Sequence, residues 1–226
     1  MKRTPSIYFT GDLHGDVKRM SGKKLRKLRR GDVLIVCGDF GFVWDGSSEE
    51  EKILKWLGKR KYHIAFIEGT HDNLELLEKY PVEEWNGGLV HSLGGNLRHL
   101  IRGQIFTIAG KTLLAMGGGE SDDFTQREPG VNWWPQELPK REDLDLYWKR
   151  LDHIGNQLDY VVTHQAPTNI DSCLTHRVCE VNLLTAFLDS VQRKCTFKGW
   201  FFGNYHVNKT IPPYYHCLYD DVMQGE

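Results

Sequence analysis

Three times within the first 72 residues a short apolar run ends in a loop that sets glycine beside aspartate or histidine. Ser6–Thr10 leads into Gly11-Asp12-Leu13-His14-Gly15-Asp16, Asp32–Cys37 into Gly38-Asp39-Phe40-Gly41, and Tyr62–Glu68 into Gly69-Thr70-His71-Asp72. Runs of this length and composition predict strands, and the unbroken apolar stretch in Asp32–Cys37 predicts one buried on both faces. Amphipathic segments lie between and after them. Val17–Arg30 would turn Val17, Met20, Leu25 and Leu28 inward; Ser48–Lys59 opens on a Ser48/Glu51 capping box; Leu74–Tyr80 is stopped by Pro81. Strand and helix in alternation predict parallel βαβ units. Ligands of such sheets bind just past the C-terminal strand ends, so the three polar loops are expected to meet at one edge.

The second half has a different rhythm. Gln104–Ala109 and Thr112–Met116 flank Gly110-Lys111 and predict a hairpin. Arg141–Gln157 and Cys179–Gln192 predict helices. Tyr160–Thr163 is a strand that delivers His164, and Trp200–Phe202 one that delivers Gly203-Asn204-Tyr205-His206; His216–Tyr219 fits a last strand. Gly117–Lys140 is long for a loop and carries Trp133-Trp134 before Pro135. Those tryptophans would serve either as a wall over the site or as an anchor to the core. Gly117-Gly118-Gly119 reads as a hinge, since no Lys-Ser/Thr follows to make a P-loop. No repeat or linker interrupts residues 1–226, so one domain is expected.

Composition removes several classes. Of 226 residues, 26% are charged and 40% hydrophobic, a globular profile that excludes disordered and fibrous chains. No run approaches the ~20 apolar residues of a membrane span, so no membrane partner is expected. The opening Met-Lys-Arg-Thr-Pro leaves no room for a signal-peptide core. Five cysteines are an odd number and none form CxxC, which argues for reduced thiols in the cytoplasm rather than disulfides or a zinc ribbon. A Ser or Cys hydrolase lacks its GxSxG context. Lys18–Arg30 holds eight Lys and Arg. Against a net charge of -1 it reads better as a solvated face than as a nucleic-acid patch. Nothing here fixes the oligomeric state.

The polar residues that follow strands are Asp12, His14, Asp39, His71, Asp72, His164 and His206. Asp and His are ligands of hard-to-borderline divalent metals. Asp12 and His14, two apart, share one side of an extended segment. The other histidines, 63, 91, 99, 153, 176 and 216, read as surface or satisfied core residues.

The ordered series Gly11-Asp12-Leu13-His14-Gly15, Gly38-Asp39, Gly69-Thr70-His71-Asp72, His164 and Gly203-Asn204-Tyr205-His206 resembles the calcineurin-like metallophosphoesterases. The surroundings of Trp133-Trp134-Pro135 look like a bacterial or phage branch. The resemblance implies a four-layer α/β/β/α sandwich of two mixed β-sheets flanked by helices, with a dinuclear metal centre. Asp12, His14, Asp39 and His206 would hold one divalent ion. Asp39 and His164 would hold the other, with Thr70 and Asn204 at its remaining positions. His71 would act as general acid or charge stabiliser. Manganese is preferred over iron, zinc or magnesium. The implied activity is hydrolysis of a phosphomonoester or phosphodiester by metal-activated water, on a phosphorylated small molecule or a diester, with nucleic acid less favoured.

Three positions depart from the family pattern. Thr70 replaces an Asn, Asn204 replaces the first His of GHxH, and Phe42 stands where the longer GDxxDRG form has its second Asp. The first two weaken the second ion's ligand set. They give the alternative reading, an impaired member that binds a phospho-ligand or a protein.

Overall fold

The structure, a computed structural model, describes residues 3–121, 126 and 128–226. Its strands form two sheets, and alternation along each strand explains how they stack. In β1 (Ile7–Thr10), β2 (Val33–Cys37) and β3 (His63–Ile67), one set of side chains comprises Tyr8, Leu34, Val36, Ile64 and Phe66. This set packs with Met20, Leu54, Leu57 and Leu77 from the helical segments. The opposite set, Phe9, Ile35, Cys37, Ala65 and Ile67, meets the second sheet through Phe106, Leu113, Val162 and Phe201. Phe9 and Phe201 stack across that interface with centroids 3.7 Å apart. The second sheet's far face buries Leu114, Val161, Trp200 and Phe202 against helical residues such as Leu151, Leu184 and Leu188. Period-two burial on both faces of both sheets makes the expected four layers.

The first sheet runs β13-β1-β2-β3-β6-β5-β4, with β4 (Val82–Trp85), β5 (Gly88–Gly94), β6 (Leu97–Leu100) and β13 (Met223–Gln224). The second runs β11-β12-β10-β9-β8-β7, with β7 (Gln104–Ile108), β8 (Lys111–Met116), β9 (Tyr160–Thr163), β10 (Gly199–Phe202), β11 (Lys209–Ile211) and β12 (Tyr215–Cys217). β1, β2, β3 and β6 are mutually parallel neighbours, as are β8, β9, β10 and β12. The loops after β1, β2, β3, β9 and β10 carry the candidate ligands.

The helices depart from the expected boundaries for local reasons. Val17–Arg30 is not one helix: α1 (Val17–Ser21) ends at the extended Gly22, and a 3-10 turn follows at Lys23–Leu25. Met20, Leu25 and Leu28 are buried as expected, but Val17 is exposed. Cap of α2 (Ser48–Gly58) is Ser47, which accepts from Glu50 N, one residue before the expected box. Asn73 caps α3 (Leu74–Leu77). α4 (Arg141–His153) is shorter than expected. α5 (Thr168–Thr175) was not foreseen, and α6 (Leu183–Lys194) starts at the Asn182 capping box rather than at Cys179. The strands β4 to β6 were also unassigned. Among the described residues, no helix is long and apolar enough to cross a membrane. All five cysteines are unpaired.

Candidate metal centre

Asp12, Asp39 and His164 form a buried floor, each 2% exposed or less. Asp39 is the hub. Its Oδ1 accepts from the backbone N of His71 at 2.8 Å and stands 3.4 Å from His164 Nε2. Its Oδ2 is 2.9 Å from His71 Nδ1 and 3.7 Å from His14 Nε2. Asp12 Oδ1 accepts from the backbone N of Asn204 at 2.9 Å and lies 3.6 Å from His164 Nδ1. On the solvent side, His14 Nε2 and His206 Nε2 face each other at 2.9 Å.

Glycine makes this approach possible. Gly38 has φ +92°, and a Cβ there would stand 2.1 Å from His164 Nδ1. Backbone strain gathers at the same place. Asp12, His14, Asp39, Asn204 and His206 account for five of the nine described non-glycine residues with positive φ. Such conformations persist where the surroundings over-determine them, typically at functional sites.

Charge balance follows from the same contacts. Burial pushes Asp39 up, but His164 and His71 more than reverse this and hold it well below the usual carboxylate range. Burial raises Asp12, with His164 opposing. Burial alone would lower His164; Asp39 and Asp12 raise it instead.

Two residues, one in a loop and one on α1, organise the floor. Asp72 accepts from Phe40 N, Gly41 N and Gly69 N at 3.2, 2.8 and 2.9 Å, which ties the loop after β2 to the loop after β3. Burial and the nearby Asp39 charge push its carboxyl up to about 6. Arg19 donates to the carbonyls of Asp12, Gly11 and Tyr219 and so clamps the loop after β1. Sequence reasoning gave Asp72 no role and hid Arg19 in the basic run. Asp72 had a signal, its place directly after His71; Arg19 had none. The rest of that run is partly committed as well: Lys24 pairs with Asp220 and Asp221, and Lys27 donates to Val222 O.

The donor set fits divalent cations. His164 Nδ1 faces the Cys37 carbonyl at 3.1 Å, so Nδ1 carries the proton and the neutral ring presents its lone pair at Nε2. Among the described residues, that Nε2 and Asp12 Oδ2 are buried without a hydrogen-bond partner. Each buried ion costs several kcal/mol unless compensated, and a cation would satisfy both atoms. Ligand atoms fall into two groups, each within 4.8 Å: Asp12–Asp39–His164 and His14–Asp39–His71. Asp39 belongs to both. The grouping differs from the one the resemblance implies: Asp12 goes with His164 rather than with His14, and His71 joins His14. Thr70 Oγ1 lies 3.2 Å from His71 Nδ1, and Asn204 reaches the site through its backbone N–H.

The long loop serves as an anchor. Trp134 is buried in the outer core and meets Trp44 edge-on at 5.6 Å. Gly119 runs close enough that a Cβ would stand 3.0 Å from Thr70 Cγ2.

A two-sheet sandwich with Asp and His loops gathered at its strand ends defines a metallophosphoesterase-type fold. The calcineurin-like phosphoesterase family matches residues 5–208, and the chain belongs to that family. No curated protein matches it. Among solved structures it is similar to a putative 5'-nucleotidase from Staphylococcus aureus in complex with alpha-ketoglutarate, at 13% identity and TM-score 0.51, over 97% of this chain and 50% of that one. It is also similar to the phosphopantetheinyl hydrolase of Mycobacterium tuberculosis, at 14% identity and TM-score 0.48, over 96% and 88%. The first likeness shows the fold, and the chain spans half the length of that protein.

Proposed function

We propose that the chain is a metal-dependent phosphoesterase which hydrolyses a phosphomonoester or phosphodiester, with two divalent ions, manganese preferred. The observation that carries this reading is Asp39, a buried carboxylate common to both ligand groups. Asp12 and His164 would complete the inner set with it, and His14 and His206 would face the outer ion. When bound, such cations polarise phosphoryl oxygens and lower the pKa of water. Asp39 would offset the charge of both, and its contact to His71 Nδ1 orients that ring. An imidazolium at His71, stabilised by Asp39, can pass its Nε2 proton to the leaving oxygen. The outer histidines are partly exposed, which leaves the phosphoryl group a route from solvent. Reduced, unpaired cysteines support a cytoplasmic setting.

A second reading is favoured by one observation. Asn204 contributes a backbone N–H where the family pattern has an imidazole, so the ion that Asp39 and His164 would hold has a weaker ligand set. The chain would then bind a phospho-ligand or protein partner without turnover. Hydrolysis of aryl phosphate mono- and diesters with Mn²⁺ supplied separates the two. Turnover supports the enzyme; binding without turnover at every metal loading supports the impaired member.

A further inference from the structure

Beyond β3, Glu68 starts a buried polar chain that the metal centre does not use. Its Oε1 accepts from Arg102 Nε at 2.6 Å and its Oε2 faces His99 Nε2 at 2.9 Å. His99 Nδ1 then faces His91 Nδ1 at 2.9 Å, with the two rings stacked. A carboxylate held by a guanidinium is ionised, and this sets the tautomers in turn. His99 donates from Nε2 and accepts at Nδ1 from the His91 Nδ1–H. His91 is left with an unprotonated Nε2, an acceptor. Burial, with His99 beside it, pushes the His91 pKa down to about 4, which keeps the ring neutral.

These residues line a cavity of about 270 Å³ with apolar walls from Leu74, Leu77, Ile101 and Leu138. Arg102 uses Nε and Nη2, the latter on Gln136 O, and keeps Nη1. Tyr147 also lines the cavity. Burial pushes its phenol up to about 12, so it remains a donor. Glu78, Lys140 and Asp143 carry mixed signs around the lining and favour no net ligand charge. The volume is near the ~300 Å³ lower end of small-molecule sites, which suits a single ring system rather than a polymer.

We propose that this cavity binds a neutral lactam heterocycle of the uracil, hypoxanthine or guanine type, its ring N–H on His91 and its carbonyl on Arg102 or Tyr147. An ionised carboxylate offers only acceptors and would oppose the His91 lone pair. A lactam edge sets a donor beside an acceptor on a flat apolar ring, which matches the lining. The site is separate from the metal centre and does not depend on the hydrolytic reading.

Calorimetric titration of the full chain with uridine, inosine and guanosine tests this. Expected is saturable binding of at least one with a dissociation constant below about 1 mM. It should weaken at least about tenfold for the ring-N-methylated analogue, which removes the ring N–H donor. His91→Phe and Tyr147→Phe should weaken it as well, with melting curves as the folding control. The methylated ligand reads the same hydrogen bond on unaltered protein, so the test survives a variant that does not fold. No saturable binding by any of the three, or equal binding of a nucleoside and its methylated analogue, overturns the proposal.

Discussion

His164 is wholly buried, and its Nε2 stands 3.4 Å from Asp39 Oδ1 without a hydrogen bond. The ring's other nitrogen is taken by the Cys37 carbonyl, so no rotation or tautomer change lets Nε2 act as a donor without loss of that bond. A lone pair held next to a carboxylate, in a wholly buried floor, is costly as it stands. A cation between them turns the cost into binding. The same relationship makes the β2 and β9 loops interdependent.

Glycine 38 is where that dependence is most exposed to test. Gly38→Ala places a methyl 2.1 Å from His164 Nδ1 at φ +92°. Loss of about 1–3 kcal/mol is expected from the backbone conformation alone, and about 2–4 °C in melting temperature follows for each kcal/mol in a chain this size. Calorimetry should show this together with weaker metal retention than the wild type.

His71 should separate chemistry from metal binding. His71→Gln is expected to lower turnover by about 10²–10⁴-fold and to spare the metal bound through Asp12, Asp39 and His164. Loss should be larger for an alkyl phosphate than for 4-nitrophenyl phosphate, whose leaving group needs no proton. Steady-state rates on both substrates, with metal analysis of the same samples, check it.

Thr70→Asn combined with Asn204→His restores the family's ligand types. Position 204 has φ +71°, a region in which His, like Asn, is among the better-tolerated residues. Affinity for the more weakly held ion should rise by about 10-fold or more, the scale on which even indirect ligand support acts. Calorimetric Mn²⁺ titration reads this directly.

Stability should fall in acid through two windows. The His91 pKa is depressed to about 4 by burial, with His99 adding to it. The unfolded chain therefore takes up that proton first, and stability is lost as pH falls from about 6.5 toward 4. Burial pushes Glu68 up, but Arg102 and His99 outweigh it and hold it at about 2, so its contribution is present above about pH 4.3 and lost below. Between pH 6.5 and 4 the raised Asp72 carboxyl acts in the opposite direction, so the check is a difference: the wild type should lose more melting temperature over that range than His91→Phe, and both should decline below about pH 4.3.

Much of the site was legible because strand ends announce themselves locally. Each of Asp12, His14, Asp39, His71, His164 and His206 sits beside or near a glycine or directly after a β-branched run. What stayed hidden depends on distant partners. Arg19 looks like any other residue of a basic run until Asp12 O and Tyr219 O are seen to converge on it. Gly22 ends the expected long helix, and the lysines beyond it contact the Asp220–Val222 segment, a separation of almost 200 residues. The strands β4 to β6 carry a local signal in the turns at Asn86-Gly87 and Gly94-Gly95, but β4 itself is charged and exposed and lacks an apolar face. His91 and His99 lie in the core, one of the two settings expected for them, but their pairing, and the cavity they line, follow only from the β5–β6 register that places them opposite each other.

Metal loading followed together with turnover tests the central claim most directly. The chelated chain would be titrated with Mn²⁺ while hydrolysis of 4-nitrophenyl phosphate and of its diester analogue is recorded, for the wild type and for Asp39→Asn. Hydrolysis of at least one ester should appear as ions bind, level off at two per chain, and vanish in Asp39→Asn along with most metal retention. A folded wild-type chain that holds two ions and leaves both esters intact, or full turnover in Asp39→Asn, would contradict it.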